Sequence, residues 1–159
     1  DVITLGMASG LGNNCAFEVN GTCYTAPFKP TPLTKAECEA QKDELGIKEC
    51  RYNDDYWARA VKQCGGVSKM PTMAQLAELA SQMYVGNPTI GAKQDKSGIP
   101  YDPNSPVSKA LGLTPDFVLW SGEELSSGYA YNRGFYTTSS YWSHDDRLYR
   151  GGQAVCIGE

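Results

Sequence analysis

A single histidine, His144, serves a chain of 159 residues, and no two cysteines stand in a Cys-x-x-Cys spacing. A zinc knuckle needs clustered nitrogen and sulfur ligands, so none is expected. There is no run of Lys or Arg. Lys and Arg number 14 against 18 Asp and Glu, for a net charge of −4. A chain of this balance lacks the electropositive footprint of a nucleic-acid binder. No apolar stretch approaches the roughly 18 residues of a membrane-spanning helix, and mean hydropathy is −0.41. No signal peptide is read in it, and a chain that opens at Asp1 without Met is expected to be a mature or trimmed fragment. It has no Gly-x-Ser-x-Gly elbow, no internal repeat and no low-complexity tract. What remains is 41% hydrophobic and 20% charged, enough apolar matter for one domain with a real core.

The six cysteines are the strongest positive signal: Cys15, Cys23, Cys38, Cys50, Cys64 and Cys156. An even, scattered set reads as three disulfides formed in an oxidising compartment, so the expected location is extracellular or at the cell surface. Spacing alone leaves the connectivity open.

Local signals divide the single expected domain, 1–159, into four parts. In 1–32, Ala16 to Val19 and Thr22 to Thr25 flank Asn20-Gly21, a two-residue hairpin signal. The same Asn20-Gly21-Thr22 matches a glycosylation acceptor, but the turn explains it without a sugar. The part 33–85 is helical. Thr34-x-x-Glu37 is a capping box, with Leu33 as a hydrophobic staple to Cys38, for a helix from Lys35 to Leu45 ending at Gly46. A second helix starts near Asp54 or Asp55. Trp57, Ala60, Val61 and Cys64 share one face of it, and Gly65-Gly66 ends it. Thr72-x-x-Gln75 caps a third, with Leu76, Leu79, Ala80 and Met83 on one face. The part 86–116 is a long loop region: 86–106, rich in Gly and Pro, reads as a long surface excursion, and Ser105-Pro106 caps one short turn that ends at Gly112. In 117–159, Phe117 to Trp120 reads as a buried strand and Trp120 as core. Tyr129 to Tyr136 and Tyr141 to Tyr149 read as strands or loops of an antiparallel sheet, and Gln153 to Ile157 as a closing strand. Helices first and a sheet afterwards imply an α+β fold.

This order resembles the C-type lectin-like fold. The residues that carry the resemblance are Tyr56-Trp57-Ala58-x-Ala60-x-x-x-Cys64-Gly65-Gly66, Met70-Pro71-Thr72-x-x-x-Leu76, Leu119-Trp120-Ser121-Gly122-Glu123 and Gln153-Ala154-Val155-Cys156. The resemblance implies two to three helices packed on a small antiparallel sheet with long, disulfide-stapled loops. It also implies a bridge from the first-helix cysteine to the last strand, a role that Cys64 and Cys156 fit. The Lys-Met-Pro-Thr and Ala-Val-Cys-Ile-Gly-Glu stretches look like those of type IV pilin-like surface heads of gut bacteria. A further likeness is to the variable proteins of diversity-generating retroelements, which use the same fold.

Chain reach then sorts the remaining thiols. From Cys38 to Leu45 a helix climbs about 10 Å at roughly 1.5 Å per residue. The extended stretch from Gly46 to Cys50 returns about as far. That favours Cys38–Cys50 and leaves Cys15–Cys23. A regular Asn20-Gly21 hairpin sets Cys23 opposite Glu18, so a bulge or wider loop is expected there.

Residues 129–150 hold five Tyr, three Ser, two Asp and three Arg, with no Lys, Glu, Ile or Val. Tyr offers contact area at low entropy cost and Ser, Gly and Asn adaptable hydrogen bonds, a composition typical of binding loops. The expected contact residues are Tyr131, Asn132, Arg133, Tyr136, Tyr141, Trp142, His144, Asp145, Arg147 and Tyr149. An edge sheet whose alternate aromatics are core is the competing account. Trp142 to Asp146 stand where a sugar-binding lectin carries its Trp-Asn-Asp calcium ligands, but Ser143 replaces the Asn and no Glu-Pro-Asn partner precedes it, so no metal is expected. His144 has Ser143 and Ser121 as candidate nucleophiles without an elbow, and an exposed loop histidine is the plainer account. Glu123 and Glu124 are adjacent on a strand, point to opposite faces and cannot flank one glycosidic bond. The sequence therefore points to a non-enzymatic surface module without a cofactor. It would bind a protein or glycan ligand on another cell, phage or host surface, in adhesion or ligand recognition. The alternative is a structural pilin-like subunit that packs against other such subunits with no ligand of its own.

Overall fold

The computed structural model describes residues 3–5, 15–126 and 128–158. Strands β1 (Ile3–Leu5), β2 (Phe17–Val19) and β3 (Thr22–Tyr24) form a small antiparallel sheet. Helices α1 (Lys35–Leu45), α2 (Tyr56–Cys64) and α3 (Met73–Ser81) follow, with a 3-10 turn at Val67–Lys69 between the last two. After β4 (Lys96–Ser97) and α4 (Pro106–Leu111) come β5 (Phe117–Leu125), β6 (Tyr129–Phe135), β7 (Ser139–Asp146) and β8 (Gly152–Gln153). These strands make a second sheet in the order β4-β7-β6-β5-β8. The fold is thus mixed α+β, with four helices among the described residues rather than two or three.

The helix ends form where their side chains satisfy orphan backbone groups. Thr34 Oγ1 accepts from Glu37 N at 3.1 Å while Glu37 Oε1 accepts from Thr34 N at 3.0 Å. Thr72 and Gln75 repeat the device on α3. Asp55 caps α2, its Oδ1 accepting from Ala58 N at 2.7 Å. Leu119 and Trp120, neighbours on β5, point to opposite sides of the sheet. Leu119 joins Phe17, Leu76, Leu79 and Phe135 in one buried cluster. Trp120 joins Leu33, Trp57, Val61 and Ala154 in another beneath α1 and α2. The sheet therefore carries apolar packing on both faces.

Three disulfides staple this frame: Cys15–Cys23, Cys38–Cys50 and Cys64–Cys156, with Cα separations of 5.4, 5.8 and 5.2 Å. The pairing implied by the resemblance, Cys64–Cys156, is present. So is the one drawn from chain reach. Cys15–Cys23 forms without the expected bulge. The hairpin keeps its regular register, Glu18 opposite Cys23, and the chain instead bends at Ala16, bringing Cys15 back.

Three further expectations are corrected. The closing strand is only Gly152–Gln153 and runs parallel to β5, because Ala154 and Ile157 leave to bridge Phe28 and Tyr24. The strand read as Phe117–Trp120 continues to Leu125, its register shifting after Trp120. The stretch 86–106 is no mere surface excursion, since Ile90 and Tyr101 are buried and Tyr101 bridges Tyr84, and α4 exceeds the single turn expected before Gly112.

Tyr84 ties this stretch to the C-terminal hairpin. Its phenolic oxygen lies 2.6 Å from Ser139 O and accepts from Tyr136 N at 3.0 Å, so it holds the β6–β7 turn. Burial raises the Tyr84 phenol well above its usual value, as it raises those of Tyr24 and Tyr101. An unfolded phenol releases its proton near pH 10, roughly, whereas these folded ones retain it. Above that pH the folded state holds more protons, so stability falls as pH rises. A denaturant series from pH 8 to about 11 should show this fall, and it should be shallower for Tyr84→Phe than for the parent.

Candidate functional site

The β6–β7 hairpin sets Tyr131 opposite His144, Arg133 opposite Trp142, Asn132 opposite Ser143, Gly134 opposite Tyr141 and Ala130 opposite Asp145. Successive strand residues face opposite sides. The expected contact residues therefore divide between two faces instead of forming one surface.

On the first face, His144 stands edge-on between Tyr129 and Tyr131, with ring centroids 5.7 and 6.1 Å away. Tyr131 meets Trp142 at 6.3 Å. The stretch between α3 and β4 closes on this row. Lys93 Nζ lies 4.2 Å from the Tyr131 ring centre and 5.7 Å from that of Trp142. Asp95 Oδ1 accepts from Trp142 N at 3.2 Å. Arg133 is wholly buried below, donating to Ser140 Oγ at 3.0 Å and to the carbonyl of Gln94 at 2.7 Å. Burial pulls its guanidinium down to about 10, which leaves it charged at neutral pH.

On the second face, Asn132 Nδ2 donates to Asp145 Oδ2 at 2.6 Å. Tyr136 and Tyr141 stack obliquely, centroids 5.9 Å apart. The Tyr136 phenol lies so close over Gly134 that any Cβ there would collide with it. Tyr149, on the turn after β7, packs edge-on against Trp120 at 6.2 Å. Tyr141 is 41% exposed and Tyr149 38%, which places them outside the core. Partial burial, then Tyr149 and the carboxylates of Asp116 and Asp145, raise the Tyr136 phenol above its usual value.

Arg147 belongs to neither face. It is wholly buried, with Nη2 2.7 Å from Asp55 Oδ2 and Nη1 3.0 Å from Glu124 Oε2. Its Nη2 also donates to the Glu49 carbonyl at 2.8 Å, and the guanidinium lies 4.6 Å from the Trp57 ring centre. Arg133, Arg147 and the 1%-exposed Asn132 thus support the hairpin from within and offer no free contact group, a correction to the expected set. Sequence reasoning missed Lys93, Asp95 and Asp116, whose stretch reads as loop and carries no periodic signal. It also missed Asp55 as the partner of Arg147, because a cap position gives no sign of a second bond.

Glu123 and Glu124 part as expected. Glu123 Oε2 accepts from Met73 N at 2.8 Å, at the start of α3, while Glu124 turns to Arg147. Ser121 Oγ donates to the Tyr131 carbonyl at 2.8 Å, and Ser143 Oγ lies 3.4 Å from the His144 carbonyl, so both hydroxyls bond backbone rather than the imidazole. A cleft of about 510 Å³ opens beside Cys64–Cys156, lined by Phe28, Gln63, Lys69 and Ile157 among others. None of the expected contact residues lines it, and among the described residues its walls hold no carboxylate, histidine or serine.

No family model matches the chain, and neither a curated protein nor a solved structure matches it.

Proposed function

We propose that this chain is a non-enzymatic extracellular recognition module of C-type lectin-like architecture, which binds a protein or glycan ligand through its C-terminal hairpin. One observation carries the reading: Tyr141 on the hairpin and Tyr149 on the turn that follows it stand 41% and 38% exposed, on segments that their neighbours lock to the fold. Large aromatics displayed on a rigid support are what hot spots use. The helix-loop-sheet order and the bridge from α2 to the chain end support the C-type lectin-like architecture. An array of glycans and extracellular proteins probed with the isolated domain tests the function. The parent should capture a specific ligand, and Tyr141→Ser and Tyr149→Ser should each lose most of that capture. Capture that survives both substitutions contradicts the assignment.

A further inference from the structure

The two faces of the β6–β7 hairpin differ in one respect that bears on the partner. On the first, a cation from the chain itself already occupies the rings, Lys93 over Tyr131 and Trp142. The aromatic faces of this sheet thus take a cation in cis. On the second face, Tyr136 and Tyr141 stand 5.9 Å apart with planes tilted by 42°. Asp145 shares this face of β7 with Tyr141, and Tyr149 packs at 6.2 Å on Trp120, which pairs with Asn132 on the same face. Tyr149, Asp145 and Asp116 also bear on the Tyr136 phenol. Among the described residues, the ammonium and guanidinium groups that stand over rings stand over Tyr52, Tyr56, Trp57, Tyr131 and Trp142. None stands over Tyr136, Tyr141 or Tyr149. Arg133 and Arg147 are buried and committed to Ser140, Gln94, Asp55 and Glu124, and the exposed Arg150, next to Tyr149, lies over the Tyr56 ring at 5.9 Å. The second face therefore joins ring faces of negative quadrupole to carboxylates, and among the described residues no Lys or Arg stands over its rings.

We propose that Tyr136, Tyr141, Tyr149 and Asp145 form a docking site for a Lys or Arg side chain presented by a protein partner. The proposal rests on the reading of the hairpin as a binding surface and names its partner's chemistry. A ring face attracts a cation, and the neighbouring carboxylate adds a charge-assisted hydrogen bond. The chain's net charge of −4 favours approach of a basic surface. A neutral glycan gains nothing from Asp145 as a charge.

The test is a titration of the full domain, its tyrosine ring resonances followed by NMR. The probes are an acetylated Gly-Arg repeat peptide, its Gly-Lys counterpart and a Gly-Glu repeat of equal length. The basic peptides should shift Tyr136, Tyr141 and Tyr149 saturably, and the acidic one should not. Raising salt should weaken the effect. Tyr141→Ser, Tyr149→Ser and Asp145→Asn should each weaken Gly-Arg binding about threefold. Absence of a saturable shift, equal binding of the Gly-Glu peptide, or insensitivity to both salt and Asp145→Asn overturns the proposal. The array separates its failure from that of the broader function. A captured glycan or protein that needs Tyr141 but ignores Asp145→Asn and salt leaves recognition standing and removes the basic partner. A positive titration beside an empty array does the reverse.

Discussion

Arg147→Ala is expected to destabilise the domain by about 3–5 kcal/mol, the usual loss when one member of a buried ion pair is deleted. Total stability of a domain this size is on the order of 5–15 kcal/mol, so the variant should melt far below the parent. Three segments lose their shared tie at once: the α2 N-terminus at Asp55, the end of β5 at Glu124, and the Glu49 carbonyl of the link between α1 and α2. Glu124 keeps the backbone amides of Lys48 and Glu49 at 2.7 and 3.0 Å, so Asp55 bears most of the loss. Burial already raises the Asp55 carboxyl above its usual range, with Arg147 opposing. Removing Arg147 removes that opposition. A carboxyl whose folded pKa is raised contributes stability that is present at low pH and lost as pH rises through that pKa. Arg147→Ala should therefore regain stability as pH falls from 7 toward about 5. Adding Asp55→Asn should recover part of the loss at neutral pH. Chemical denaturation of the single and double variants at both pH values checks this.

Removal of the Cys64–Cys156 bridge by paired serine substitution should cost about 4–5 kcal/mol in the chain-entropy model, since the bridge closes a sequence separation of 92 residues. The separations for Cys15–Cys23 and Cys38–Cys50 are 8 and 12, so their removal should cost less. The long bridge fastens Cys156 covalently to the end of α2. Without it, residues 154–158 keep only non-covalent ties, among them the hydrogen bonds of Ala154 with Phe28, Cys156 with Thr25, Ile157 N to the Lys69 carbonyl at 2.7 Å and Gly158 N to the Cys23 carbonyl at 2.8 Å. The double serine variant should show the largest fall in melting temperature of the three pairs. An equal fall for all three contradicts the assignment of the long bridge as the main staple.

Local chemistry was legible in the sequence wherever one short segment settles its own shape. The capping boxes at Thr34 and Thr72, the Asn20-Gly21 turn and the glycine stops at Gly46 and Gly65 all stand where their residue types place them. Long-range partners were not legible. Arg147 and Arg133 look like surface arginines in a Tyr-rich run. Their burial depends on Asp55, Glu124 and the Gln94 carbonyl, which the fold brings from distant segments. The division of the contact set follows from strand alternation, but only once the pairing of Tyr131 with His144 is known. Lys93 could not be read as a cation over rings, because nothing in its own stretch marks the rings it reaches.

The most direct test of the central claim is the melting temperature of Tyr141→Ser and Tyr149→Ser beside the parent. Both side chains stand more than a third exposed on a frame held by other residues. Each variant should melt within a few degrees of the parent, as surface substitutions usually do. If these rings were core, each loss would cost about 3–5 kcal/mol and unfold the domain early. A large fall in both variants would contradict the reading of this hairpin as a display surface.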